Sequence, residues 1–440
     1  MGAATPGPRK PRPRPLAPAG IVNAQALAPF LRALAQLASP AASAGPPQLV
    51  RVLQFGDSHT AADFWSGKVR QRLQARFGDG GPGCILPAKP WRGYPHAGVS
   101  ILAGQTWPAQ SLRQEGCDGL VGLTGASLAP TAGATFILKA TFAGFRVHLL
   151  GCGQGEVAAW TAPVPMEEGA PASPRPVPLL SSDPIRKEVC LELYGQDGLA
   201  TDSPRELGLT FPDRSSLLGV DLRSGRNGVI YDELGLNGAE LLDLGRWNPQ
   251  LRRALLERIH PDLLVLAYGT NDMGMGAQAL AEYQASVLVL LRELKEASAA
   301  PILVVGPLDR LGQSRARRAS LKVGASLVIT ALREACAESG CAFWDARQAM
   351  GGYGALLKWR QAGLAQKDLV HLNGAGYQLL GDKLADALLK AYDTSWNQAP
   401  EPAARPLGLP VRKRLPKAPK KPRHRKVAGG NRSRRESRKS

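Results

Sequence analysis

The stretch Val52-Leu53-Gln54-Phe55-Gly56-Asp57-Ser58-His59-Thr60 decides how the rest of this chain is read. Its first half is a β-rich, mostly apolar run of the kind that forms a buried strand. Its second half replaces apolar residues with a glycine, a carboxylate, a hydroxyl and an imidazole. A strand that merely ended would need only a turn. Reading outward, Leu49–Phe55 is expected to be a strand. Thr60–Phe77 is expected to be a helix, with Trp65, Val69, Leu73 and Phe77 at i+4 spacing. The glycine-rich run from Gly78 to Gly83 ends it.

The same alternation resumes far downstream. Leu251–Ile259 reads as a helix, and Leu263–Ala267 as a short continuous apolar strand. Ala277–Ala297 is a helix, Ile302–Val305 a strand, Ser314–Ser339 a helix and Ala342–Asp345 a strand. Asn373–Tyr392 closes the series as a helix with Tyr377, Leu380, Leu384 and Leu388 inward. Strand–helix alternation predicts an α/β fold, a parallel sheet covered by helices on both faces. Between the two halves, Gln105–Arg226 has no convincing helical period. Thr135–Ala143, Phe145–Leu150, Val189–Tyr194, Leu207–Phe211 and Ser216–Leu222 are short β-like runs separated by Gly and Pro, with a Pro-rich loop at Met166–Pro178. That spacing predicts a β-sandwich or jelly roll inserted into the α/β domain. The expected organisation is a basic Pro-rich tail (1–20), the first part of the α/β domain (21–104), the inserted module (105–226), its second part (227–395) and a basic tail (396–440).

The 440 residues are 44% hydrophobic and 21% charged, the composition of a globular chain. No run of eighteen apolar residues is present, so no membrane span is expected. Of the formal charge of +19, about +13 lies in Val411–Ser440 and about +4 in Arg9–Arg14, so the folded body is nearly neutral. The Pro-rich basic tails are expected to be disordered and suited to contact with a polyanion. Met1–Pro18 is basic without a following apolar segment, so no secretory signal is read. Ile21–Ser39 reads as an amphipathic helix. The six cysteines show no CxxC pair and no zinc-like cluster. Cys336 and Cys341 are spaced for a bridge, with buried free thiols as the alternative.

A serine hydroxyl needs a base within hydrogen-bond reach, and that base needs an orienting acceptor. His59 adjoins Ser58, and neighbours in an extended strand face opposite ways. His96 and His260 have no carboxylate arranged to orient them, His148 lies in the β-rich region and His424 in the tail. His371 stands in KDLVHLNGAGY, three residues after Asp368, which in a turn can accept from one ring nitrogen and leave the other for Ser58. Asn271, in YGTND after the Leu263–Ala267 strand, and Gly238, in GLNGAE, can supply oxyanion donors from an amide side chain and an unobstructed backbone N–H.

The blocks GDSHT, GLNGA, GTND and DLVH, in that order, resemble the four signature blocks of the SGNH/GDSL hydrolase superfamily. The resemblance implies a flavodoxin-like sheet. It implies Ser58 as nucleophile, the N–H groups of Ser58 and Gly238 with the Asn271 amide as oxyanion hole, His371 as base and Asp368 as its orienter, with no metal or cofactor. GDSHTAADFWSGKVRQRLQARFGDGGPG, PWRGYPHAG and VIYDELGLNGAE further resemble the peptidoglycan O-acetylesterase branch, which carries a jelly-roll, carbohydrate-binding-like module between the Ser and Gly blocks. That branch implies a serine esterase acting on an acetylated polysaccharide, such as peptidoglycan, in the periplasm or outside the cell. Acyl transfer by the same acyl-enzyme, hydrolysis of a lipid or thioester, and non-catalytic polysaccharide or nucleic-acid binding remain open alternatives.

Overall fold

The computed structural model of the chain describes residues 19–39, 46–86, 96–103, 107–131, 133–150, 157–163, 175–177, 204–211, 216–274, 279–312 and 314–396. Residues 1–18 and 397–440 of the basic tails, Val189–Tyr194, most of Met166–Pro178, Cys152, Cys190 and His424 lie outside the described residues.

Strand β1 (Leu49–Gly56) is buried at every position after the first. Its two faces feed different cores because successive side chains point oppositely. Val50 and Val52 enter one hydrophobic cluster, and Leu53 and Phe55 the other. Four further strands lie parallel beside it: β2 (Gly228–Gly235), β3 (Leu263–Ala267), β4 (Ile302–Val305) and β5 (Ala342–Trp344), in the order β2-β1-β3-β4-β5. This is the flavodoxin-like order, with the topological switch between β1 and β3. Helices α1 (Ala28–Leu37), α2 (Trp65–Phe77), α6 (Ala346–Met350), α7 (Ala355–Gln361) and α8 (Gly374–Trp396) cover one face. Helices α3 (Pro249–Ile259), α4 (Leu280–Ala297) and α5 (Arg315–Ser339) cover the other. None of the described helices is long and apolar enough to cross a membrane.

Several expected boundaries move for local reasons. The helix expected from Thr60 starts at Trp65, because residues 57–64 turn tightly, with Thr60 and Ala61 N–H groups bonded to the Asp57 carbonyl. Ile21–Ser39 is not one helix. A 3-10 turn (Ala24–Leu27) leads into α1, whose first turn holds Pro29, a residue with no N–H to lose there. The sequence reading places no strand at β2, yet all eight of its residues are buried. Asp232 and Glu233 hide its apolar period, and Asp232 is admitted to the interior because Arg51 of β1 pairs with it. The short α6 and α7 were also not expected.

The β-rich region forms two antiparallel sheets. One has the order Val99–Ala103, Thr135–Ala140, Arg205–Thr210, Val157–Pro163, Arg175–Val177. The other has the order Gly83–Ile85, Ser216–Arg223, Ala126–Leu128, Ala109–Ser111, with Gly144–Leu150 also paired to Ser216–Arg223. Phe136, Leu138 and Leu207 of the first sheet share a core with Phe145, Val147 and Val220 of the second, a sheet-on-sheet packing. Cys336 and Cys341 are not bridged; both are buried free thiols, as are Cys84 and the half-buried Cys117.

Candidate active site

The ends of three adjacent strands set this site. Gly56 of β1 is in register with Gly235 of β2 and with Ala267 of β3. Ser58 lies two residues past that line, Gly238 three and Asn271 four, so three distant blocks meet at one edge. This is the carboxyl edge beside the switch point, where open α/β sheets form their crevice. Gly56 has no room for a side chain. A Cβ there would stand 2.1 Å from the Thr60 hydroxyl and 2.9 Å from the Ala267 carbonyl.

His371 arrives on the segment before α8. The Asp368 Oδ1 atom accepts from the backbone N–H groups of Val370 and His371, both at 3.0 Å, which fixes the turn. Leu369, between Asp368 and Val370, takes φ of 62°, a left-handed conformation, and its side chain is buried. The His371 Nδ1–H donates to Asp368 Oδ2 at 2.7 Å. Nε2 is thereby left as an acceptor, and the Ser58 hydroxyl lies 3.0 Å from it. Burial pushes the Asp368 carboxyl up, but the bonds from His371 and from the two N–H groups outweigh this and hold it below the ordinary carboxylate range.

Gly238 sits in the turn after β2. The Asn271 amide donates to the Ala239 carbonyl at 2.9 Å, tying the turn after β3 to the turn after β2. One of its two N–H groups is used in this way. Arg310 donates to the Thr270 carbonyl at 2.9 Å, and Arg113 to the Asn237 carbonyl at 3.1 Å.

One correction to the sequence reading arises here. His59 is not set on the far face of a strand, because it lies in the turn. Its Nδ1 is 2.8 Å from the Tyr377 hydroxyl and its ring centroid is 5.2 Å from that of His371. Burial, with the neighbouring His371 and Arg310, lowers its pKa to about 3, so it is neutral. For His96, Asp63 Oδ2 stands 3.9 Å away, beyond hydrogen-bond reach, and Nδ1 bonds instead to the Ala97 carbonyl at 3.1 Å. Sequence reasoning passed over Arg113, Arg310 and the hydroxyl of Tyr377. No spacing signal marks the arginines, and Tyr377 fits the apolar period of α8.

Asp57 is fully buried and accepts from the His59 N–H at 2.9 Å and from Thr270. Burial raises its pKa from 3.8 to about 6 despite those bonds. A carboxyl raised on folding costs stability only when ionised: the penalty is absent below pH 3.8, grows up to about pH 6, and is constant above it. Asp57→Asn should therefore gain stability relative to wild type as pH rises from 4 to 7.5, by on the order of 1–3 kcal/mol. Denaturant titrations at both pH values check this, and an unchanged difference between the two would sink it. Among the described residues, no group of three His, Cys, Asp or Glu side chains is placed to hold a metal.

Residues 201–379 match the model of the GDSL-like lipase/acylhydrolase family. The match includes Gly238, Asn271, Asp368 and His371; Ser58 precedes it. A search of curated proteins finds no match. Among solved structures, a peptidoglycan O-acetylesterase aligns with a TM-score of 0.65 at 23% identity, over 83% of this chain and 96% of that one. An acetylxylan esterase from Geobacillus stearothermophilus (20% identity, TM-score 0.26, 37% of this chain and 73% of that one) and a lipase/acylhydrolase from Enterococcus faecalis (18%, 0.28, 38% and 78%) also match. Residues 201–379 thus carry the segment matched by the GDSL-like lipase/acylhydrolase family on a flavodoxin-like sheet with its helices, the fold of a carboxylic ester hydrolase.

Proposed function

We propose that the chain is a serine esterase that removes O-acetyl groups from a carbohydrate, peptidoglycan being the substrate. The observation that carries the reading is the contact chain from Ser58 Oγ through His371 to Asp368, 3.0 and 2.7 Å long. In the proposed mechanism the Ser58 oxygen bonds to the acetyl carbonyl carbon while its proton passes to His371 Nε2. Asp368 holds the imidazole in the required tautomer and stabilises the cation that forms. The oxyanion is met by the N–H groups of Ser58 and Gly238 and by the free N–H of Asn271; one such donor is typically worth ~3 kcal/mol of barrier. Collapse breaks the ester bond, and His371 returns the proton to the departing sugar oxygen. Water then attacks the acetyl-serine with His371 as base, releasing acetate.

The choice of substrate is supported by the likeness, over 83% of this chain, to a peptidoglycan O-acetylesterase together with the motif resemblance. On this reading residues 105–226 are a module inserted between the nucleophile and oxyanion blocks. The protein works in the periplasm or outside the cell, and the basic tail from residue 396 contacts an anionic polymer. Purified protein incubated with O-acetylated peptidoglycan is expected to release free acetate, and to prefer acetyl over long-chain p-nitrophenyl esters. Release that persists in Ser58→Ala would overturn the mechanism. Long-chain preference would overturn the substrate class, and acetyl transfer to a sugar without free acetate would replace hydrolysis by transfer.

A further inference from the structure

The turn Leu236–Ala239 is closed by the Ala239 N–H bonding to the Leu236 carbonyl at 3.0 Å. Its centre residues are Asn237, with negative φ, and Gly238, with φ of 72°. A positive φ at the second centre position is what separates a type II turn from a type I turn. The two types differ by rotation of one peptide unit, the one joining the centre residues. That unit carries the Asn237 carbonyl at one end and the Gly238 N–H at the other, and planarity fixes the two in opposite directions. Glycine is needed for the positive φ, yet it also leaves the alternative turn accessible. Whatever holds the Asn237 carbonyl therefore aims the Gly238 N–H.

Arg113 holds it. Its guanidinium donates to the Asn237 carbonyl at 3.1 Å and packs on the open side of Gly238, where a Cβ would stand 2.7 Å from Nη1 and 3.1 Å from Cζ. The arginine is well anchored at its root: Leu112 is buried in the core shared with β1 and β3, and its N–H bonds to the Gly125 carbonyl at 3.0 Å. Arg246 fixes the other side by donating to the Gln114 carbonyl at 2.9 Å. A charged donor on a carbonyl also polarises the peptide, which strengthens its N–H as a donor. Glu240 is the charged neighbour whose field Arg113 meets.

We infer that Arg113 is a positioning residue of the oxyanion hole, locking the Asn237–Gly238 peptide in the orientation that presents the Gly238 N–H to the developing oxyanion. The inference rests on the oxyanion role proposed for Gly238. The residue comes from the β-rich region, so this region contributes to the chemistry and not only to the site's surroundings.

The test is steady-state kinetics on p-nitrophenyl acetate for wild type, Arg113→Ala, Arg113→Lys and Ser58→Ala. Loss of the lock should lower kcat about tenfold in Arg113→Ala and change KM less than about twofold, because an oxyanion donor acts mainly in the transition state. Added guanidinium ion should recover part of the rate, and the lysine variant should keep part of it. Ser58→Ala inactive with Arg113→Ala as fast as wild type, or slowed through KM alone, overturns the inference and leaves the esterase reading standing. Wild-type hydrolysis that does not depend on Ser58 overturns both. A loss in Arg113→Ala with a lowered melting temperature and no recovery by guanidinium assigns the residue to folding and overturns the inference as well.

Discussion

Ser58→Ala is expected to lower kcat for acetyl-ester hydrolysis by roughly 10⁴–10⁶-fold, with the Ser58→Ala/His371→Ala double variant falling little further. In the proposed mechanism the hydroxyl and the imidazole act as one device: without the oxygen the base has nothing to deprotonate, and without the base the hydroxyl is a weak nucleophile at neutral pH. Their 3.0 Å contact and the 2.7 Å contact behind it are the geometric basis of that expectation. Ser58 is only partly buried in a turn and His371 is partly exposed, so neither change should disturb the fold. Kinetics on the two single variants and the double variant, with melting curves beside them, check the result. Additive losses would mean that the two side chains do not share a step. A fully active Ser58→Ala would remove the nucleophile assignment.

The second large effect concerns stability. Arg51 lies on β1 with almost no exposure, and its guanidinium is divided between two carboxylates. Its Nε and Nη2 donate to Asp232 of β2 at 2.7 and 2.9 Å, and its Nη1 and Nη2 to Asp221, each at 2.9 Å. Asp221 lies on the antiparallel strand Ser216–Arg223, so one side chain stitches the β-rich region to the parallel sheet. Burial alone would raise the Asp221 carboxyl, but Arg51 and Arg223 together outweigh it and hold the group far below the ordinary range. Arg51→Leu removes the cation paired with buried Asp232 and leaves Asp221 only Arg223, whose Nη2 lies 3.0 Å from Oδ2, and it is expected to cost roughly 3–5 kcal/mol at pH 7. For a depressed carboxyl the contribution is present above its unfolded pKa of 3.8 and is lost as pH falls towards the folded value. In the variant the buried carboxyls lose the cation that holds them down and take up protons at a higher pH than in wild type, so the deficit should shrink as pH falls from 7 to 4. Replacing Asp221 and Asp232 together with Arg51 by apolar residues should recover much of the loss, because the unpaired charges are then gone. Urea midpoints at pH 7 and pH 4 decide the matter, and a deficit under about 1 kcal/mol at pH 7 would show that the carboxylates find other partners.

Much of the catalytic scaffold is legible in the chain because its signals are local. Leu263–Ala267 and Ile302–Val305 are strands with the boundaries that their apolar runs indicate, since a strand buried on both faces has no reason to alternate. The D-x-x-H of Asp368 and His371 is likewise a short-range object, closed by bonds within four residues. Strand β2 was not legible. Its interior carboxylates become tolerable only when Arg51, some 180 residues earlier in the chain, is folded against Asp232. His59 was misread for a related reason: its direction follows from the turn at Asp57–Thr60 and from Tyr377, not from a strand period.

What the sequence determined by itself is therefore the set of groups whose chemistry depends on near neighbours: the alternating α/β elements, the turn-borne motifs and the carboxylate–imidazole pair. Only the tertiary structure decided which distant groups meet, namely the seating of Arg51 between two carboxylates, the contact of His59 with Tyr377, and the reach of Arg113 onto the Asn237 carbonyl. Such pairs are joined by hydrogen bonds between residues more than a hundred positions apart. No periodicity in a linear chain encodes a contact that exists only once the sheet has brought its strand ends together.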